Sequence, residues 1–287
     1  MTWRSWRFER GRGRDADQTS SEAKGRGNEM LGREPLPGES TNQADSAFRA
    51  AEGLFRERAA VAAQSIAVGQ PYHPACAAHA GPDYAGAMRY ALGRLERELA
   101  PELTYHNLWH TAADVLPAVR RLATLMEVSP KDVRLLEIGA AYHDIGYVLQ
   151  RQEHERAGAA IAAQVLSEYG FVSEQVAAVQ GMILATRLPQ SPRTPLEEIL
   201  ADADLDVLGR EDSFARSQAL RAELASYGAP MGETEWYCRQ LKFLREHHYF
   251  TSAARSLRGE GERRNIAMVE ALLRSSGREE GVSTLFK

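Results

Sequence analysis

The sequence has little cysteine. Its two residues, Cys76 and Cys238, lie far apart in 287 positions and in no CxxC spacing. That excludes a disulfide framework and a four-cysteine zinc site, and points to free thiols in a reducing, cytoplasmic compartment. No apolar run approaches the ~18 residues that a membrane-spanning helix needs, and no apolar stretch near the start reads as a secretory signal. Neither sign of charge dominates: 35 Lys and Arg stand against 39 Asp and Glu, for a net charge of −4. Such a balance argues against a nucleic-acid or anionic-membrane partner. Strand-like alternation is nearly absent, and there is no internal repeat. What remains, 44% hydrophobic and 26% charged residues, is the composition of an ordinary globular chain.

The chain divides into three parts. Residues 1–45 are mostly Gly, Arg, Ser, Glu and Asp without apolar period, and are expected to form a disordered tail. Arg and aromatic residues interleave over the first fourteen positions, as in an adhesive element for RNA or an anionic surface. They give way to Asp15 and Asp17, so a plain tail is the simpler reading. Residues 46–83 read as a leading helix, with Phe48, Ala51, Leu54, Phe55 and Ala59 in helical register, and a proline-containing connector. The connector holds His73, Cys76 and His79, which lack a nearby fourth ligand for a zinc site.

From 84 to 287 the pattern predicts one all-α domain, with helices over 84–99, 105–127, 131–146, 153–169, 173–187, 195–208, 212–227, 233–248 and 262–274. Pro117 should kink or split the second of these. Ser129-Pro130 and Thr194-Pro195 mark helix starts, with Glu197 closing a capping box at the latter. Gly146 and Gly170 mark stops.

Histidine is where the sequence concentrates its chemistry. Four of the eight, His106, His110, His143 and His154, fall in one window of 49 residues. Within Tyr105-His106-Asn107-Leu108-Trp109-His110, the two imidazoles at i and i+4 are expected to share a helical face. The mostly apolar helix from Leu135 ends in His143-Asp144, which should place an imidazole and a carboxylate in the interior. A divalent cation would compensate the buried charge; an internal His-Asp hydrogen bond without one is the alternative. In Ala201-Asp202-Ala203-Asp204-Leu205-Asp206, a 100° projection sets Asp204 at the edge of the apolar face. It sets Asp206 at the opposite edge, next to Asp202, which points well away and reads as part of a solvated acidic turn. His247 and His248 end an amphipathic helix, where a cation near the last carbonyls is favourable.

The order His…His-Asp…Asp in a helical chain resembles the HD superfamily of metal-dependent phosphohydrolases. The match runs from about Tyr105 to Gly209 and more loosely from 84 to 276. The stretch Tyr105 to His110 is similar to the YHN-x2-H stretch of cyclic-nucleotide phosphodiesterases and small predicted HD phosphohydrolases. Ala201 to Gly209 and, more weakly, Arg264-Asn265 resemble later motifs of the small group. The resemblance implies an HD-domain helical bundle in which His110, His143, Asp144 and Asp204 hold a divalent metal: Mn, Mg, Fe, Co, Ni or Zn. It further implies catalytic roles for His106, as acid to the leaving oxygen, and for Asp144, which would orient a water activated by the metal.

His154 fits the H-x3-G spacing of HD-GYP proteins, where it helps bind a second metal. The later paired histidines are replaced by Ile183-Leu184-Ala185-Thr186-Arg187, and the GYP motif is missing, so a full two-metal site is not implied. His154 and Arg187 are therefore candidate second-metal or substrate residues, with Arg151 and Arg156 as further phosphate partners. The expected substrate is a small phosphoester, most plainly a nucleotide. Two other classes fit less of the chain. One is a metal-stabilised binding or regulatory module that uses the tail. The other is an HD-fold di-iron oxygenase, which needs more histidines than the window offers. Metal identity and oligomeric state are open at this point.

Overall fold

The computed structural model describes residues 81–283, with side chains as far as residue 275. The tail, the leading helix and the His73, Cys76 and His79 group lie outside the described residues. Everything described is helical, and no strand occurs among the described residues. The elements are α1 (Tyr84–Glu98), a π-helical turn (His110–Val115) that runs into α2 (Leu116–Leu125), and α3 (Pro130–Tyr142). A 3-10 turn (Ile145–Val148) leads to α4 (His154–Glu168), α5 (Ser173–Ala185) and α6 (Pro195–Asp204). A second 3-10 turn (Asp206–Gly209) precedes α7 (Ser213–Ser226), α8 (Glu233–Glu246) and α9 (Ser252–Ser283). None is long and apolar enough to cross a membrane.

The helix starts follow local chemistry. The Asp83 carboxylate accepts from Gly86 N–H at 2.8 Å, and Ser129 Oγ accepts from Asp132 N–H at 3.2 Å, with Pro130 in the first turn where no N–H is needed. Thr194 Oγ1 accepts from Glu197 N–H at 3.3 Å, but Glu197 reaches back to Arg193 N–H rather than to Thr194, so the expected capping box closes one residue upstream. Gly170 follows α4 with φ +79°, the left-handed stop that glycine adopts without strain.

Several boundaries differ from expectation, each for a physical reason. The second helix begins near Leu108, because Asn107 Oδ1 accepts from His110 N–H at 3.2 Å and so acts as its N-cap. The segment divides just ahead of Pro117, into a π-helical part and α2. The backbone widens into the π turn just before, and Pro117 sits in the first turn of α2, where its missing N–H costs little. The third helix stops at Tyr142 and the sixth at Asp204, each followed by a 3-10 turn. The last helix starts ten residues earlier than its apolar period suggests.

Two apolar clusters result. The larger is built by α1 to α6 around α3, whose Leu136, Ile138 and Tyr142 are fully buried. The smaller gathers α7, α8 and α9 with Val207 and Leu208 around Trp236, whose indole N–H donates to Ser217 Oγ at 3.0 Å. The second 3-10 turn joins them. Asn265 of α9 donates to the carbonyls of Leu208 and Arg210, which gives the Arg264-Asn265 stretch a structural role.

Close backbone approach fixes the turn after α3. A Cβ on Gly146 would lie 1.9 Å from the His154 carbonyl oxygen and 2.8 Å from Gly158 N. Gly146→Ala must therefore push α4 away from the turn. We expect it to lower unfolding stability by about 2 kcal/mol or more, read as a shift in urea midpoint at unchanged slope.

Candidate metal centre

Three helical segments meet at one point. The π turn supplies His110, the end of α3 supplies His143 and Asp144, and the last residue of α6 supplies Asp204. His110 Nε2 lies 3.1 Å from Asp204 Oδ1 and 3.8 Å from Asp144 Oδ2. His143 Nε2 lies 3.2 Å from Asp144 Oδ2 and 3.5 Å from Asp204 Oδ1. His110, His143 and Asp204 form a group whose ligand atoms all lie within 4.8 Å of one another, and Asp144 flanks it.

The hydrogen bonding leaves two of these atoms, His143 Nε2 and Asp144 Oδ2, free for a cation. His143 Nδ1–H donates to the Ala140 carbonyl at 2.7 Å, which leaves the Nε2 lone pair facing the carboxylates. His143 Nε2 and Asp144 Oδ2 are nevertheless buried and without a hydrogen-bond partner among the described residues. The hydrogen bond between His143 and Asp144 is thus not made, whereas His110 Nε2 and Asp204 Oδ1 bond each other at 3.1 Å. Two imidazole nitrogens and two carboxylate oxygens, one of each buried and unsatisfied, are the donor set a first-row divalent ion takes.

Burial by itself would push the carboxyls up and the imidazoles down. Their mutual charges outweigh it: Asp144, beside His143 and His154, is held well below the usual carboxylate range, and Asp204, beside His110 and His143, also lies below it. His110 and His143 are correspondingly raised. His110 is also backed by Asp114, 3.7 Å from its Nδ1. Asp114 is itself held by Arg210 at 2.7 Å and Arg216 at 2.9 Å.

His106 stands beside this centre in an unforeseen way. It lies in the loop before the helix, not on a shared face with His110, because Asn107 caps the helix behind it. Glu223 of α7, wholly buried, accepts from Tyr105 N–H at 2.8 Å, from His106 N–H at 2.9 Å and from His106 Nδ1–H at 2.6 Å. Tyr147 packs against two imidazoles, with its ring centroid 4.8 Å from that of His106 and 4.0 Å from that of His154. His154 Nε2 approaches Asp144 Oδ1 at 3.3 Å. Neither Glu223 nor Tyr147 was legible in the sequence. Glu223 sits in an ordinary amphipathic helix, and only the unusual burial of its turn would have marked it.

The arginines are less simply placed. Arg187 pairs with Glu153 at 2.6 Å and Arg156 with the same carboxylate at 3.2 Å. Glu153 has φ +57°, an uncommon conformation for a side-chain-bearing residue. The two other acids of the α6 motif correct the helical projection. Asp202 is buried rather than solvated, and accepts from Phe250 N–H, Thr251 N–H and Thr251 Oγ–H at 2.7–2.8 Å. Asp206 lies past the end of α6, buried against Arg258 at 2.7 Å and Arg121 at 3.0 Å. The side chain of His247 bonds Glu262 at 2.5 Å instead of capping its own helix.

Residues 107–206 match the family model for the HD domain. The three grouped residues and Asp144 fall inside this stretch, whereas His106 and Glu223 lie outside. The group of His110, His143 and Asp204 within the matched stretch could hold a divalent metal. A crystal structure of a predicted HD superfamily hydrolase from an uncultured Thermotogales bacterium is similar, with 22% identity over 69% of this chain and 93% of that one and a TM-score of 0.44. No curated protein matches.

Asp114 offers a test of the electrostatics. Burial raises its carboxyl, but His110 and the two arginines hold it at about 2, below the usual 3.8. A group depressed on folding stabilises above its unfolded value and loses that contribution as pH falls through the folded one. The stability difference between wild type and Asp114→Asn should thus be on the order of 2 kcal/mol at pH 6 and shrink as pH falls from about 4 to 2, measured by urea unfolding of metal-free protein.

Proposed function

We propose that the HD domain hydrolyses a small phosphoester, with a nucleotide as the favoured class, using a divalent cation held by His110, His143, Asp144 and Asp204. The observation that carries this is the pair of buried, unpartnered ligand atoms, His143 Nε2 and Asp144 Oδ2, facing His110 and Asp204. The nucleotide class is supported by the likeness of Tyr105 to His110 to the phosphodiesterase stretch.

A bound cation would supply charge against the phosphoryl oxygens and lower the pKa of a water. The chain does the rest. Asp144, with its second oxygen toward His154, orients the attacking water and accepts hydrogen bonds from it. His106 donates a proton to the leaving oxygen from Nε2, since Nδ1 is committed to Glu223. Glu223 grips both the backbone and the ring of His106, so the acid is fixed in place and in tautomer. Tyr147 packs against the His106 and His154 rings and keeps them parallel within 23–26° of its own plane. His154 and Arg187 are assigned to the substrate side of the site, where Arg187 would exchange Glu153 for a phosphoryl oxygen. A cytoplasmic setting fits this substrate.

Two measurements check the reading. Full-length protein loaded with Mn²⁺ or Mg²⁺ should hydrolyse members of a nucleotide and phosphoester panel and lose activity on chelation. His143→Ala with Asp144→Ala should abolish both turnover and stoichiometric metal by elemental analysis. Metal-loaded wild type that cleaves nothing on the panel would overturn the proposal. His106→Ala should lower kcat by ~10²–10⁴ on alkyl or nucleoside esters and far less on p-nitrophenyl esters, whose leaving group needs no acid. Equal losses on both would remove His106 from that role.

A further inference from the structure

We propose that Tyr227 and the guanidinium of Arg151 form the surface on which a flat, aromatic leaving group of the substrate stacks, a nucleobase being the natural case. The inference rests on the phosphoester reading and adds the residues that would select this class. Tyr227 follows α7 and lies four positions after Glu223, with its N–H on the Glu223 carbonyl at 3.3 Å. It therefore sits one turn, ~5.4 Å, further along the face that grips His106. From the opposite side, Arg151 lies four positions after Tyr147, and its carbonyl accepts from His154 Nδ1–H at 3.3 Å. The two sides meet: Arg151 Cζ stands 4.7 Å from the Tyr227 ring centroid.

The wall of rings formed by His106, Tyr147 and His154 is thus extended by an arginine on a tyrosine. Exposure rises along it, from 8% at Tyr147 to 39% at Tyr227. The charges of Arg151 and Glu223 act on both tyrosine hydroxyls, which places all four in one neighbourhood. A leaving group that takes its proton at His106 has its bulk on this side. A planar guanidinium lying on a partly exposed phenol offers dispersion and cation–π attraction to any flat π-system. It offers little to a bare sugar or alkyl chain.

Calorimetric titration of full-length, EDTA-treated protein with adenosine 5′-monophosphate and ribose 5-phosphate tests this without turnover. The two share phosphate and sugar and differ in the base. Wild type should bind the nucleotide about tenfold more tightly, as one base–aromatic stack commonly gives. The ratio should fall to within about twofold in Tyr227→Ala and in Arg151→Ala, and return in Tyr227→Phe, which keeps the ring. A wild-type ratio near one, or one that survives Tyr227→Ala in folded protein, would overturn the inference. Metal-dependent hydrolysis without nucleotide preference would sink the platform and leave the phosphoester reading standing. Nucleotide preference without hydrolysis would do the reverse.

Discussion

Asp144 and Asp204 are withdrawn from water beside His110 and His143, and the other elements are arranged to make that tolerable. An ionised carboxylate in an apolar interior is strongly disfavoured unless opposite charge and hydrogen bonds surround it. Here the compensation is incomplete within the protein. The imidazoles shift upward and the carboxyls downward, yet Asp144 Oδ2 and His143 Nε2 stay without hydrogen bonds. A divalent cation would complete the set, and folding and metal binding would then reinforce one another. The geometry comes from helix ends. Three helices stop or loosen at the centre, by a π turn, by a 3-10 turn after Tyr142 and by another after Asp204. Each places a ligand where a continuing helix would have turned it away.

The support behind the centre is also ionic. Asp114, Asp202 and Asp206 all lie within a few residues of a proposed ligand, all are buried, and none joins the group. Asp114 backs His110 and is clamped by Arg210 and Arg216. Asp202 ties α6 to the 250–251 backbone, and Asp206 ties the following turn to Arg258 of α9. Asp204 is consequently gripped from both sides in sequence. One buried acid alone would be a liability; with separate partners, Asp202 and Asp206 fix the end of α6 and Asp114 fixes the π turn.

Much of this was legible beforehand, and the failures are instructive. Helix existence, the Ser129 and Thr194 starts and the four residues that converge could be read from period, capping chemistry and motif order. The projection of Asp206 failed because it assumed an unbroken helix, and α6 ends at Asp204; Asp202 lies within α6 but is covered by the 250–251 segment, which no local period reports. His106 was placed on the wrong element because Asn107 was not recognised as the N-cap. Glu223 was invisible because a glutamate on an amphipathic helix carries no local signal of burial. What pairs it with His106 is a contact across 117 positions, and single-sequence periodicity does not report such separations.

That distance bears on how the domain divides its work. The HD match ends at 206, yet the carboxylate that holds the proposed acid comes from α7, beyond it. The segment pinned is short: Thr104 Oγ–H donates to the Ala219 carbonyl, and Tyr105 and His106 both bond Glu223. The matched region supplies the metal group, whereas His106 is held in register by α7. The smaller apolar cluster around Trp236 is thus more than an appendage. Its helices hold the proposed acid through Glu223 and also steady the ligand segments through Arg216 and Arg258. Variation in α7 to α9 among chains with the same metal group would then change which leaving groups are protonated efficiently.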